Sequence, residues 1–189
     1  MKKLLCVTLL LLSNVANAAI IFSEDFENGL LFGAGNNWVS NISGAIVVDP
    51  LQGDKALSFR SLIGGGDLFS KTLTSTTGKF FISFDYLGTC QTNNCGGFFG
   101  NSITQWVGTT APYPDLLVDN GQWNTYTFEV TGNSMYLFLE DWVGSGGTVG
   151  DVFFDNIIVR DSLASVSEPA TLGMLSMMLL LAFRRVASR

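Results

Sequence analysis

Histidine is absent from this 189-residue chain, and its absence excludes several kinds of catalytic site. Without histidine there is no Ser-His-Asp or Cys-His nucleophilic centre and no histidine-ligated zinc. The sequence also has no HExxH metalloprotease motif, no GxxxxGK(S/T) phosphate loop and no GxGxxG dinucleotide motif. Histidine-dependent hydrolysis is therefore excluded, and the known nucleotide-binding loops are missing.

Basic residues are scarce in the middle of the chain. The sequence has 10 Lys and Arg against 16 Asp and Glu, which gives a formal net charge of −6. Half of the basic residues lie at the two ends, so residues 19–168 combine five basic with all 16 acidic side chains, a formal charge of −11. Because binding to nucleic acid needs clustered Lys and Arg, we expect no nucleic-acid partner.

Cysteine is rare as well. Of the three cysteines, Cys6 lies in the apolar run at the N-terminus, which leaves Cys90 and Cys95 as a closely spaced pair. In an exported chain such a pair predicts a disulfide. A metal clip or a redox pair is the alternative, although both usually use a CxxC spacing.

The first 18 residues have the three parts of a secretory signal peptide. Lys2 and Lys3 supply the charged start, residues 4–12 form the apolar run, and Ala16 and Ala18 are small residues at the −3 and −1 positions of a cleavage site. We therefore expect export through the Sec translocon and removal of residues 1–18 by signal peptidase.

The C-terminus has a second apolar run, residues 170–183, which the arginine pair Arg184 and Arg185 follows. As a helix of 14 residues it would be about 21 Å long, short of the roughly 30 Å hydrocarbon core of a bilayer. The arginine pair would stay in the cytoplasm by the positive-inside rule. We predict a linker at 162–167 and a membrane-inserted tail helix, with a buried terminal helix of the domain as the alternative.

Between the ends, short runs of apolar and aromatic residues alternate with polar ones in the manner of β-strands. In the predicted strand 79–86, for example, Phe80, Ile82, Phe84 and Tyr86 all fall on one face. The predicted strands are 20–26, 38–42, 45–48, 56–60, 68–73, 79–86, 97–103, 123–130, 135–140 and 152–159. The main predicted loops are 64–66, 90–97 and 144–150. No helical period is sustained before residue 165, so residues 19–161 are predicted to form an all-β, antiparallel β-sandwich of jelly-roll type.

The tail, residues 168–189, resembles a PEP-CTERM sorting signal. The triplet Ser167-Glu168-Pro169 stands where that family has Pro-Glu-Pro, and the apolar run and arginine pair follow in the family's order. The first proline of the motif is replaced by Ser167. The resemblance implies that the tail holds the protein in the inner membrane until an exosortase cuts near the motif. It also implies a place at the cell surface or in an extracellular matrix, in a setting of exopolysaccharide and biofilm.

The middle of the chain is similar to carbohydrate-binding jelly rolls. The similar pieces are residues 24–29, 123–128 and 154–159, spread over about 135 residues. In those modules an acid from the first strand and one from the last bind a structural Ca²⁺. The resemblance therefore implies a calcium site made by Glu24, Asp25, Glu27 and Asp155, with hard oxygen ligands that suit this ion. Alternatively, Asp155 caps a turn or faces solvent.

Loop-borne aromatic residues are the candidates for sugar binding, because the C–H face of a pyranose stacks on an aromatic ring. Trp106 and Tyr113 lie in the unpatterned, proline-containing stretch 105–115, and Trp142 lies beside a glycine-rich stretch. A packing role is the alternative for all three. The aromatic residues that fall inside or at the start of predicted strands are expected in the core: Trp38, Trp123 and Tyr126.

The predicted function is that of an exported, membrane-tethered, non-catalytic surface or matrix protein that binds exopolysaccharide. A structural matrix protein without a sugar ligand is one alternative. A small glycan-processing enzyme is the other, since glycoside hydrolysis needs two carboxyl groups about 5–9 Å apart. The acids considered for that role are Glu129, Glu140, Asp141 and Asp151.

Overall fold

The computed structural model describes residues 19–29, 31–32, 36–39, 45–59, 65–90, 95–104, 106–108, 116–143 and 152–162. All of them belong to one unit, Ala19–Leu163. The predicted signal peptide, the sorting tail, Tyr113 and all but the first residue of the predicted linker lie outside the described residues. Within the described part there is no helix, and so none with the length and apolarity needed to cross a membrane.

The described residues form twelve strands, which confirms the all-β prediction. In chain order they are β1 Ile20–Glu24, β2 Ala45–Val48, β3 Lys55–Ser58, β4 Gly65–Phe69, β5 Leu73–Thr74, β6 Lys79–Gly88, β7 Cys95–Asn101, β8 Val107–Gly108, β9 Asn124–Thr131, β10 Ser134–Met135, β11 Leu137–Val143 and β12 Val152–Arg160. Every pairing between these strands is antiparallel.

The first sheet has six strands and is organised around β12. Its order is β2-β3-β12-β6-β9, and β1 also pairs with β12. Phe153 and Phe154 of β12 pair with β3, whereas the stretch from Ile157 onward pairs with β1. The change of partner coincides with a bulge after Asp155, where Asn156 has a φ of 49°. The two ends of the domain thus meet in the middle of one sheet.

The second sheet has four strands in the order β4-β11-β7-β8. A small pair, β5 with β10, stands apart from it, and Trp38 makes an isolated bridge to Ser70 just after β4. The bridge continues the sheet beyond β4 by a short segment.

The two sheets pack face to face through aromatic side chains, so the fold is a β-sandwich. Phe84 of β6 stacks on Phe99 of β7 with ring centroids 3.8 Å apart and planes 4° from parallel. Phe154 lies against both rings, at 6.3 and 6.5 Å, and all three side chains are at most 1% exposed. Buried rings of this kind supply much of the hydrophobic stabilisation of a domain.

Several predicted strand boundaries were wrong, most of them in the second sheet. Gly65 and Gly66 were assigned to a loop but begin β4, and residues 95–97 were assigned to a loop but begin β7. The predicted strand 68–73 is divided between β4 and β5, and the unpatterned stretch after residue 105 contains β8. Glycine normally marks turns, but here it lies within strands beside large rings.

The predicted disulfide is confirmed: Cys90 and Cys95 are joined, with their Cα atoms 5.9 Å apart. The bridge ties the first residue of β7 to the segment that follows β6. A ring of this size is worth roughly 2 kcal/mol by the chain-entropy estimate.

Candidate functional site

The candidate site is the outward side of the second sheet. Along its strands Leu68, Phe99, Leu137 and Leu139 belong to the buried core, so the residues between them point away from the first sheet. We call this outward surface the aromatic face. Its side chains are Asp67 and Phe69 of β4, Phe98 of β7, Phe138, Glu140 and Trp142 of β11, and Trp106 immediately before β8.

Aromatic rings form a row across one end of this face. Phe138 lies opposite Phe69 on one neighbouring strand and Gly100 on the other. The Phe69 and Phe138 ring centroids are 5.8 Å apart, and Trp106 approaches Phe138 to 3.8 Å at a 55° tilt. Trp106 and Phe69 are half-buried and Phe138 is only 9% exposed, so the first two present ring surface to solvent.

The rings can lie close to the sheet because glycine occupies the facing positions. A Cβ atom at Gly100 would overlap the ring of Phe138, and a Cβ atom at Gly108 would overlap the ring of Phe98. Both glycines therefore serve close approach, which is a recurrent reason for glycine inside a strand. The glycines that looked like loop residues in the sequence shape the surface of the site.

Two carboxyl groups lie side by side next to this row. Glu140 is the register partner of Asp67, so the two side chains are direct cross-strand neighbours on the same face. The pKa of Glu140 is raised to about 7, chiefly by burial and also by the negative charges of Asp67 and Asp141. Burial also raises the pKa of Asp67.

Trp142 occupies the far end of the face. It lies opposite Gly65 on β4 and Gly96 on β7, so it has no side chain directly beside it on either neighbouring strand. The indole is half-buried. The acid pair is thus flanked along β11 by Phe138 on one side and Trp142 on the other.

A cavity of about 420 Å³ opens beside Phe69, at the end of the aromatic row. Tyr136, which is 40% exposed, and Lys71 are among its lining residues. The Tyr136 ring lies 6.2 Å from Phe69 and 5.9 Å from Phe138, so the cavity continues the aromatic row.

The structure brings together two of the three predicted sugar-binding residues. Trp106 and Trp142 share the aromatic face, whereas Tyr113 lies outside the described residues. Trp38 is 2% exposed and Tyr126 stacks on Phe84 at 5.5 Å, as expected for packing residues. Trp123 packs on a separate small cluster of the first sheet that contains Leu87 and Phe153.

The sequence reasoning missed Asp67, Phe69, Phe98 and Phe138 as members of the site. Phe98 and Phe99 are adjacent and both apolar, so the sequence showed no difference between an inward and an outward face. The available signal was the mixture of glycine and phenylalanine in β7: its Gly100 faces the ring of Phe138 on β11, and its Phe98 ring faces Gly108 on β8.

Glu24 is held in a network of structural hydrogen bonds. The Glu24 carboxylate is 6% exposed and accepts hydrogen bonds from Phe26 N at 3.1 Å, Asn37 Nδ2 at 3.2 Å and Trp38 Nε1 at 3.2 Å. Glu27 Oε1 accepts one from Lys55 N at 2.6 Å. These contacts use the oxygens that the calcium prediction assigned to the ion.

Asp155 has different surroundings. It is 5% exposed, and its Oδ1 accepts a hydrogen bond from Asn156 N at 2.7 Å. The pKa of Asp155 is raised to about 7: burial is the largest cause, the hydrogen bond from Asn156 N partly opposes it, and the charges of Asp54, Asp85 and Asp49 add to the increase. In the arrangement described, no three acidic, cysteine or histidine side chains converge as metal ligands. Calcium stays a prediction, and Asp155 is the residue of the four whose surroundings favour a cation.

The acids considered for glycoside hydrolysis do not form a pair among the described residues. Glu140 faces outward, while its neighbour Asp141 faces the core and is 1% exposed. Glu129 lies on the first sheet in an ion pair with Lys79 at 2.5 Å, and Asp151 lies outside the described residues. The acid that accompanies Glu140 is Asp67.

Comparison with solved structures finds β-sandwich domains of similar fold. A cleaved adhesin domain of Lys-gingipain from Porphyromonas gingivalis has a TM-score of 0.51 and 14% identity, over 75% of this chain and 98% of that domain. The CBM22-1 xylan-binding domain from Paenibacillus barcinonensis has a TM-score of 0.46 and 13% identity, over 76% and 95%. A family 16 carbohydrate-binding module has 0.47 and 15%, over 75% and 99%.

These likenesses concern the fold alone, because the identities are low. No protein-family model matches the chain, and no curated protein is a significant match. Another structural neighbour is a carbohydrate-binding module, TmCBM61, in complex with β-1,4-galactotriose, with a TM-score of 0.43 and 14% identity over 72% of this chain and 93% of that one.

The raised pKa of Glu140 predicts a pH-dependent stability. Between about pH 4.5 and 7 the folded state holds this proton more tightly than the unfolded state, so the free energy of unfolding should fall as pH rises through that window. Glu140→Gln should remove this loss, and relative to wild type the variant should gain on the order of 1 kcal/mol between pH 4 and 8, allowing for screening at a half-exposed position. Urea unfolding at several pH values measures the difference.

Asp67→Asn is the companion variant, because it keeps Glu140 but removes one of the charges that raise its pKa. In this variant the pKa of Glu140 should be lower than in the wild type but still above its ordinary value. The pH range over which the free energy of unfolding falls should therefore be narrower but still present. The raised pKa of Asp155 also makes the free energy of unfolding fall as pH rises, in the wild type and in both variants alike. The quantity to compare at each pH is therefore the difference in the free energy of unfolding between a variant and the wild type. A difference between wild type and Glu140→Gln that does not vary with pH would contradict this account.

Calcium should act through Asp155 rather than through Glu24. Calcium at about 100 times its dissociation constant should stabilise the wild type by about 2.7 kcal/mol, and Asp155→Asn should remove this response. Glu24→Gln should lower the melting temperature with and without calcium but keep the response, because Glu24 accepts structural hydrogen bonds. Thermal unfolding with calcium and with chelator provides the measurement, and an unchanged wild-type melting temperature would exclude the ion.

Proposed function

We propose that this protein is an exported, non-catalytic surface or matrix protein whose β-sandwich binds polysaccharide on the aromatic face. The observation that carries the proposal is the convergence of Trp106, Phe69 and Trp142 on one side of one sheet, with Asp67 and Glu140 between them. Several structural neighbours are carbohydrate-binding modules, which agrees with this use of the fold.

The chemistry of the face suits a sugar chain. Half-buried aromatic rings offer flat apolar surfaces to the C–H faces of pyranose rings. Carboxyl groups beside them can accept hydrogen bonds from sugar hydroxyls or, when protonated, donate one. A few polar groups in an otherwise apolar surface are the usual composition of a ligand site.

A binding role is supported over catalysis by the placement of the acid pair. Asp67 and Glu140 lie on the open surface of a sheet, on neighbouring strands, and no other described acid faces the same surface. Catalysis would need a glycosidic bond held between an acid and a nucleophile or water, and water excluded around it. The described face provides a surface rather than an enclosed site.

Replacing the two tryptophans of the aromatic face should weaken polysaccharide binding. Trp106→Ala and Trp142→Ala each remove a ring that the proposed ligand would stack on, and we expect a loss of about tenfold or more in affinity for each. The matched control is Trp123→Ala, which removes a half-buried indole from the other sheet. Affinity electrophoresis against a panel of neutral polysaccharides measures the effect, with circular dichroism to check the fold.

The control variant should migrate like the wild type. Equal retardation of all three variants would move the binding site away from the aromatic face. A wild type that no polysaccharide retards would favour the alternative, a structural matrix protein without a sugar ligand.

We also propose that the chain is exported through the Sec translocon, loses residues 1–18 to signal peptidase and is then held in the inner membrane by its tail until an exosortase processes it. Support comes from the order of the segments at 162–189: linker, Ser167-Glu168-Pro169, apolar run and arginine pair. A water-exposed domain has no physical need for an apolar segment that ends in two arginines.

A charge in the middle of the apolar tail should prevent this anchoring. Leu179→Arg places a cation where it costs about 2.5–3.5 kcal/mol on insertion scales, so the protein should leave the membrane unprocessed. Leu179→Ile is the matched control and should behave like the wild type. The measurement is the mass of the membrane-bound and extracellular forms, and a wild-type extracellular form that still ends at Arg189 would refute processing at this tail.

A further inference from the structure

The acid pair on the aromatic face has no cationic partner among the described residues. β4, β7, β8 and β11 contain no Lys or Arg. Neither the Asp67 nor the Glu140 carboxyl group makes a hydrogen bond or an ion pair within the described part of the chain. Like charges that are directly opposite across a strand pair are destabilising, so the arrangement lacks a structural reason.

We propose that the aromatic face binds a polysaccharide whose sugars carry free, protonated amino groups, and that Asp67 and Glu140 together accept the ammonium group. This inference rests on the proposed function, because it names the class of sugar for the same surface. The charge of the face favours this ligand. The acid pair lies between aromatic residues and has no cationic partner among the described residues, and an amino sugar supplies a cation on a ring with apolar C–H faces.

The geometry allows a sugar to stack on an aromatic ring and to contact the acid pair at the same time. Along β11 the order of outward residues is Phe138, Glu140 and Trp142, with about 7 Å between successive members. A sugar ring stacked on Trp106 or Trp142 therefore has its substituents within reach of the acid pair. An ammonium group between Asp67 and Glu140 favours the ionised form of both acids and makes charge-assisted hydrogen bonds to them, and a neighbouring indole adds a cation–π contribution.

The same charges oppose other glycan classes. An anionic sugar, such as a uronate or a sulfated sugar, would be repelled by the acid pair and by the net negative charge of the domain. An N-acetylated sugar is neutral and loses the charge-assisted contacts. Lys71 lines the cavity beyond Phe69, at the edge of the face; it is exposed to solvent, so its charge is screened there.

The test measures how tightly three oligosaccharides of equal length bind to the purified protein at near-neutral pH and low salt. The probes are a glucosamine hexamer, an N-acetylglucosamine hexamer and a galacturonate hexamer, titrated by calorimetry. The glucosamine hexamer should bind about tenfold or more tightly than the N-acetylated one, because hydrogen bonds to charged groups exceed neutral ones by that margin. The galacturonate hexamer should bind most weakly, and added salt should reduce the preference.

The acid pair is then tested by substitution. In Asp67→Asn combined with Glu140→Gln, the ratio of the two hexosamine affinities should fall to about one. This variant should fold like the wild type, because both side chains face away from the core and the change removes a like-charge pair directly opposite across two strands. Glu129→Gln is the matched control on the other sheet and should keep the wild-type ratio.

The outcomes separate this inference from the proposed function. Equal binding of the two hexosamine probes, or a preference that survives in the double variant, would overturn the amino-sugar inference and leave polysaccharide binding standing. Tightest binding of the galacturonate hexamer would also overturn it. If no probe and no neutral polysaccharide binds the wild type, the proposed function fails together with the inference.

Discussion

The stack of Phe84 on Phe99 between the two sheets is the contact on which the rest of the molecule depends. It places one residue of β7 in the core, and strand alternation then turns Phe98 and Gly100 outward. The same rule on β11 buries Leu139 and exposes Glu140 beside its cross-strand partner. The candidate site is therefore the reverse side of the core, made by the same strands, and its geometry is as rigid as the packing beneath it. A surface built on strands holds its side chains more exactly in place than one built on loops.

A strand could be predicted from the sequence where its own residues alternate between a polar and an apolar face. The first sheet was predicted well because β6 and β9 are polar on one face, so their period of two was visible. The strand boundaries of the second sheet were predicted poorly because β4 and β7 have glycine or apolar residues at most positions on both faces, so no period of two was visible. Trp106 and Trp142 were singled out as loop residues, whereas Trp142 lies within β11 and Trp106 directly precedes β8. Asp67 could not be found, since its importance comes from register with a residue far along the chain.

The acids at the two chain-terminal strands show a different limit of sequence reasoning. The resemblance gave Glu24 and Asp155 the same task, yet their environments differ. Glu24 is surrounded by donors, including the indole of Trp38, so its charge is compensated within the protein. Asp155 is buried near three other carboxylates, and its two donors, the backbone N and the Nδ2 of Asn156, belong to one residue. Residue type reveals the oxygens, but only the fold reveals which donors reach them, and this decides whether a carboxylate has any capacity left for a cation.

Uncompensated charge is the feature that distinguishes the aromatic face from an ordinary sheet surface. Partial burial of Glu140 and its opposition to Asp67 both disfavour the ionised carboxylate, so the pair destabilises the folded state at neutral pH. Replacing either acid by a neutral residue would relieve it without disturbing the core, since both side chains point away from Leu68 and Leu139. Sites where local rules of stability are broken are the places where function is expected. A cationic ligand would repay this cost at the moment of binding, because the ammonium group supplies the charge that the four strands lack.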